Sequence, residues 1–223
     1  MNAPDPGLGS AEPTVGVALV LDGVSIRLGG RPLVGPLDLR VDAGTCTTVM
    51  GPSGCGKSTL LSWVAGALDP AFEAQGRVHL GANDLTALPP ERRGLGLLFQ
   101  DDLLFPHLTV GGNLLFALPA SVAGRAERRR QVEAALAEAG LDGTIDRDPA
   151  TLSGGQRARV SLMRTLLASP RALLLDEQRR DEMRAFVFER ARQRGLPVLL
   201  VTHDPADARA AGGAVVDLGR RLA

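Results

Sequence analysis

The order of apolar and polar positions predicts an alternation of strands and helices. Val17 to Leu21 and Val24 to Leu28 are short β-like runs, and Leu37 to Val41 alternates apolar and polar residues at period two. After the turn residues Asp42, Ala43 and Gly44, Thr45 to Met50 reads as a strand. Leu60, Leu61, Val64 and Leu68 then recur at helical spacing. Arg77 to Leu80 and Gly94 to Phe99 read as further strands. Arg125 to Ala139 reads as a helix with Val132, Leu136 and Ala139 on one face. Its Arg128 to Arg130 run points largely outward, interleaved with Glu127, Glu133 and Glu138 as a solvated face. A second helix follows Thr151–Gln156 and runs to about Ala168, and another covers about Arg180 to Arg194. Ala172 to Leu175, Leu196 to Thr202 and Ala214 to Leu218 are apolar strands. Such strands alternating with helices indicate an α/β protein whose parallel sheet is covered on both faces.

Between the strand ending at Met50 and the helix that follows lies Gly51-Pro52-Ser53-Gly54-Cys55-Gly56-Lys57-Ser58-Thr59, the spacing of a phosphate-binding loop. Glycines let successive backbone N–H groups converge on an anion, and the next helix turns its positive end toward the same point. Lys57 is expected to reach the β- and γ-phosphates and Ser58 to give its hydroxyl to Mg²⁺. Composition sharpens this reading. Lys57 is the single lysine among 25 basic residues, so a compact ammonium stands where a planar fork would not serve. Cys55 occupies a variable position of the loop and reads as a packing residue.

Other polar residues close apolar strands. Asp176 ends one of them and is placed to hold the metal's water shell; Glu177 follows and is placed to polarise an attacking water. An acidic pair that merely caps a helix would look the same, and the phosphate loop favours the metal reading. Gln100 and His203 each follow a further strand. Leu152-Ser153-Gly154-Gly155-Gln156 opens a helix, so Ser153 and the N–H groups of Gly154 and Gly155 are expected to form a second anion site. One phosphate loop needs only one such site within a chain. The simplest use of the second is to cap a nucleotide held by another copy.

The remaining composition mainly excludes. With 25 basic and 25 acidic residues the net charge is zero, which gives no electrostatic case for nucleic acid or an anionic membrane surface. Two cysteines make no disulfide framework, and no apolar run approaches the roughly 18 residues of a membrane span. Met1 to Thr14, rich in Pro, Gly and Ala, lacks a signal peptide's basic start and apolar stretch and is expected to be a flexible tail. Residues 15–223 are expected to form a single domain in the cytoplasm, with a helical subdomain over about 101–168.

Gly51–Thr59, Gln100, Leu152–Gln156, Asp176–Glu177 and His203 follow one another in the order found in the ATP-binding subunits of ABC transporters, which the chain resembles from about Leu19 to Leu218. The stretch from Leu97 to Asn113 is similar to that of bacterial importers, with small thiamine, iron or polyamine systems as the nearest kin. The resemblance implies a P-loop NTPase core with a parallel sheet, a small antiparallel β region and a helical subdomain. It implies that Lys57, Ser58, Thr59 and Asp176 bind MgATP, that Gln100 senses metal and water, that Glu177 is the catalytic base and that His203 contacts the γ-phosphate. Ser153, Gly155 and Gln156 would act in trans across a head-to-tail dimer. Residues around Leu103 to Asn113 would face a separately encoded permease at the inner face of the membrane, with a substrate-binding protein as a further partner and no role for nucleic acid.

Two positions depart from the family's pattern. Where it has an aromatic residue to stack on adenine, this chain has Leu28, and it contains no tyrosine. After the Asp-Glu pair the family continues with proline and a short Ser-x-Leu-Asp segment that joins the two ATP sites of the dimer. Here Glu177 runs directly into Gln178-Arg179-Arg180-Asp181. Nucleotide binding is expected to survive and hydrolysis to be impaired, which leaves a non-hydrolytic nucleotide-binding module as the alternative.

Overall fold

The computed structural model describes residues 16–99, 101–176 and 181–219. Two sheets organise them. Strands β1 (Leu19–Leu28), β2 (Arg31–Val41), β4 (Phe72–Leu80) and the short β5 (Asn83–Asp84) form an antiparallel sheet in the order β2-β1-β4-β5. Strands β3 (Cys46–Met50), β6 (Leu95–Leu98), β7 (Ala172–Asp176), β8 (Val198–Thr202) and β9 (Ala214–Asp217) form a parallel sheet in the order β6-β7-β8-β3-β9. Six helices accompany them: α1 (Lys57–Ala65), α2 (Val110–Ala117), α3 (Arg125–Glu138), α4 (Gly154–Leu167), α5 (Asp181–Gln193) and α6 (Pro205–Ala211).

Strand pleating sorts the core. Along β7, Ala172 and Leu174 pack with α1 and the antiparallel sheet, whereas Leu173 and Leu175 pack with residues of α2 to α6. Along β8, Leu199 and Val201 face the first cluster, and Val198 and Leu200 the second. Each strand is therefore buried on both faces, which is why its sequence is a continuous apolar run.

Several local expectations change. The two runs before Leu28 are one strand, β1, whose pairing with β2 and β4 shifts register after Leu21 and Asp22. Strands β2 and β4 extend further toward their N-termini than the apolar alternation suggested. Arg128 does not point outward. Its guanidinium donates to the carbonyls of Leu115, Leu118, Pro119 and Val122, at and beyond the C-terminus of α2, while Arg129 and Arg130 pair on the surface with Glu133 and Glu127. Helices α2 and α6 and strand β5 had no counterpart in the periodicity.

Candidate functional site

In a parallel sheet every strand ends at the same edge, and that edge is where α/β folds bind ligands. Register fixes the neighbours here. Met50 of β3 pairs with Thr202 of β8, Asp176 of β7 with Val201 of β8, and Leu98 of β6 with Leu175 of β7. The loop from Gly51, the carboxylate of Asp176 and the ring of His203 thus lie at the ends of three adjacent strands. Gln100 and Glu177 lie outside the described residues, as does the 1–14 tail.

The loop after β3 is shaped by its glycines. Gly54 and Gly56 have φ of 82° and 94°, a left-handed backbone that favours glycine. A Cβ on Gly56 would sit 2.6 Å from Val34 and 2.9 Å from Leu33, so β2 packs directly against the loop. Gly56 caps α1 without any side-chain hydrogen bond, and Leu60 N–H donates to the Gly56 carbonyl at 2.8 Å. The first N–H groups of a helix have no intrahelical partner. Those of α1 therefore face the loop's concavity with the positive end of the helix dipole behind them.

Lys57 is buried, and its ammonium donates to the carbonyls of Gly51 and Pro52 at 2.9 and 3.0 Å. An ammonium has three donors, so these two contacts aim the group without exhausting it. Ser58 is exposed beside it, and Asp176 is half-buried. Among the described residues no three His, Cys, Asp or Glu side chains gather as a metal cage. Mg²⁺ needs none when phosphate oxygens and water complete its shell, and the donor set of Ser58 hydroxyl and Asp176 carboxylate fits it. His203 is exposed and shares a cavity of about 430 Å³ with Met50, Gly51, Pro52, Ser53, Val215 and Asp217.

Leu152–Gln156 is placed differently. Leu152 and α4 belong to the cluster on the opposite face of the parallel sheet from α1. Ser153 and Gln156 form a reciprocal capping box: Gln156 N–H donates to the Ser153 hydroxyl at 3.2 Å, and Ser153 N–H donates to the Gln156 side chain at 2.9 Å. Both side chains are thus engaged in starting α4, and Gly154 and Gly155 present the backbone of its first turn.

The third surface is an apolar groove of about 600 Å³ beside β6, lined in part by Leu97, Leu103, Phe105, Phe116 and Arg164. Phe116 and Leu103 are 71% and 56% exposed, unusual for such side chains. Asn113, expected to face outward, is fully buried instead. It clamps the loop through bonds to the Phe105 N–H and to the carbonyls of Phe105 and Thr109. Arg164 donates to the Leu103 carbonyl and stacks over Phe105 with its guanidinium carbon 5.4 Å from the ring centre. Sequence reading missed Phe116 and Arg164. An isolated aromatic on a short glycine-containing helix carries no periodic signal.

Comparison with known proteins shows the family. Residues 34–179 match the family described as ABC transporter. An uncharacterized ABC transporter ATP-binding protein of Escherichia coli, YnjD, is 48% identical over 209 residues, covering 91% of this chain and 95% of that protein. The thiamine import ATP-binding protein ThiQ of Vibrio vulnificus is 41% identical over 180 residues, 78% of this chain and 76% of that protein. The Fe(3+) ions import ATP-binding protein FbpC of Streptomyces avermitilis is 42% identical over 205 residues, but these are 89% of this chain and only 59% of that longer protein.

Proposed function

The chain belongs to the ABC transporter family, whose ATP-binding proteins are ATPases that power transport, and on that premise we propose that it is the ATP-binding subunit of an import system whose membrane-spanning subunits are other chains. The observation that carries this reading is the convergence of the phosphate loop, Asp176 and His203 at the ends of adjacent parallel strands. The import direction is supported by relatives named for thiamine and Fe(3+) import.

In this reading the N–H groups that begin α1 and the ammonium of Lys57 bind the β- and γ-phosphates. Thr59 follows in the first turn of α1, and Gly51 to Gly56 shape the cradle. Ser58 and Asp176 would hold Mg²⁺ and Gln100 would sense metal and water; the ion would supply neutralisation of the charge building up on the phosphate oxygens. Glu177 takes a proton from water as the water oxygen bonds to the γ-phosphorus. The bond from that phosphorus to the bridging oxygen breaks, leaving ADP and inorganic phosphate. His203 donates to a γ-phosphate oxygen. Ser153, Gly154, Gly155 and Gln156 act on the nucleotide of a second copy in a head-to-tail dimer, their side chains holding the helix start whose backbone meets the phosphate.

The groove around Leu103 and Phe116 receives an apolar segment of the permease at the cytoplasmic face of the membrane, and a substrate-binding protein is a further partner of the system. No helix among the described residues is long and apolar enough to cross a membrane. Residues 15–223 are read as one domain, the helices of 101–168 being its subdomain.

The test is MgATP turnover of the purified chain over a range of protein concentrations, with Glu177→Gln as control. Specific activity that rises with concentration and disappears in the control is the expected result. A second reading, a nucleotide-binding module without hydrolysis, is favoured by the four-residue interval, 177–180, between β7 and α5. ATP binding without turnover would establish it.

A further inference from the structure

A buried cluster of charges lies beneath His203 and is not used by the chemistry above. Arg184 of α5 and Asp207 of α6 are 6% and 2% exposed and form an ion pair through Arg184 Nε. Arg184 Nη2 also reaches the Asp204 carboxylate at 3.3 Å. Thr202, at the last position of β8 and fully buried, donates its hydroxyl to Asp207 and accepts from the Asp204 N–H at 3.0 Å. Asp204 in turn caps α6 through the Ala206 N–H at 2.7 Å. The residues on both sides of His203 are therefore fixed by one network, with Arg184 as its only cation among the described contacts.

Stability alone is a poor reason for such a network. Buried ion pairs are often replaceable by apolar side chains of similar volume without loss. What this one does, and apolar packing would not do, is orient the turn between β8 and α6 by directed bonds. The fork of Arg184 reaches the two carboxylates at the start of α6 at once, and the exposed ring of His203 is thereby set against Gly51, Pro52 and Ser53.

We propose that Arg184 is a positioning residue for His203, holding the imidazole where it meets the γ-phosphate. The proposal rests on the nucleotide-binding reading above. The same contacts tie α5 to the His203 turn.

The test uses ¹⁵N-labelled histidines, which report the ring of His203 beside those of His79 and His107, with His203→Ala providing the assignment. In the unaltered protein, a non-hydrolysable ATP analogue with Mg²⁺ is expected to shift the His203 ring signals. In Arg184→Met the analogue is expected to bind with unchanged Kd and to leave those signals in place. Arg184→Lys, which keeps the charge and loses the fork, is expected to respond in part. Where turnover is measurable, Arg184→Met is expected to lower kcat about tenfold or more with His203 present and not at all in the His203→Ala background. If Arg184→Met does not fold, Asp207→Asn carries the same comparison. A full His203 response in the Arg184 variant overturns the proposal while leaving the nucleotide site standing. Bound analogue with no response in the unaltered protein overturns both the role of His203 and the proposal, and no binding at all overturns the nucleotide reading on which both rest.

Discussion

The two cysteines offer a direct view of the phosphate loop at the level of single residues. Cys46 is buried in β3, and burial pushes its thiol up to about 12, so it stays neutral and inert near neutral pH. Cys55 sits half-buried in the loop. A thiol reagent applied to the folded protein is expected to label Cys55 alone, and MgATP to slow that labelling. Peptide mass mapping checks it, and labelling of Cys55 at the same rate with and without nucleotide would count against phosphate binding in this loop. Leu28 raises a matter of affinity. It is 46% exposed at the end of β1, with Phe72 opposite it on β4. An aliphatic side chain forgoes the stacking that an aromatic ring gives a base, worth roughly 1–3 kcal/mol. Leu28→Tyr is therefore expected to tighten ATP binding roughly tenfold and to widen the preference for ATP over GTP, measured by calorimetric titration. The residue scale is also where sequence reading served best. Lys57 stood out because it is the single lysine, and the loop carries its spacing in consecutive residues. Arg128 and Arg184 were not legible in the same way. Their partners lie on other elements, and an arginine that grips distant carbonyls or carboxylates has no local signature.

Elements differed in how far they could be read. Strands β3, β7 and β8 were legible because a strand buried on both faces is a continuous apolar run, and the candidate residues Gly51, Asp176 and His203 stand at or just past their ends. Helix α2 was not, because its sequence opposes it. Val110-Gly111-Gly112-Asn113 is a poor helix former, and the structure shows what overrides that propensity. Val110 and Gly111 donate their N–H groups to the carbonyls of Arg147 and Ile145, and a Cβ on Gly111 would lie 2.4 Å from Ile145. The glycine is there for close approach, which no periodicity announces. Helix α6 was missed for its seven residues and its opening proline. A comparable long-range device holds α1. Arg93 is buried and donates to the carbonyls of Trp63 and Val64 near the C-terminus of α1, and to those of Thr86 and Leu88. Burial lowers the pKa of its guanidinium, the charge of Asp84 opposes that shift, and the cation complements the negative end of the helix dipole. Arg93→Met leaves four carbonyls without this donor and is expected to cost about 3 kcal/mol. For a chain of this size that lowers the thermal midpoint by roughly 6–12 °C, measurable by calorimetry. A midpoint unchanged within error would show that water replaces the guanidinium at no cost.

At the scale of the whole molecule, the open matter is whether a nucleotide site spread over two copies can work with the connection this chain has. The phosphate loop leads into α1 and Leu152–Gln156 opens α4, and these two helices belong to cores on opposite sides of the parallel sheet. In the proposed dimer a nucleotide that uses both would lie between two copies, so turnover would depend on how well one copy's Glu177 is placed against the other's helix start. The resemblance implies that this placement is served by a segment after the glutamate, and here only 177–180 separate β7 from α5. A misplacement of about 1 Å in an attacking group can cost two orders of magnitude in rate. Binding has no such sensitivity, because the groups that begin α1 and Lys57 all belong to one chain. Insertion of proline followed by a Ser-x-Leu-Asp segment after Glu177 is therefore expected to raise kcat about tenfold or more and to leave the Kd for MgATP unchanged. Folding should tolerate it, since doubling a loop's length costs only about 0.6 kcal/mol. Equal turnover with and without the insertion, at protein concentrations high enough to saturate dimer formation, would show that the short connection does not limit hydrolysis. The proposed dimer would then have to align its sites through other contacts, and the network joining Arg184 to the His203 turn begins four residues from where the connection ends.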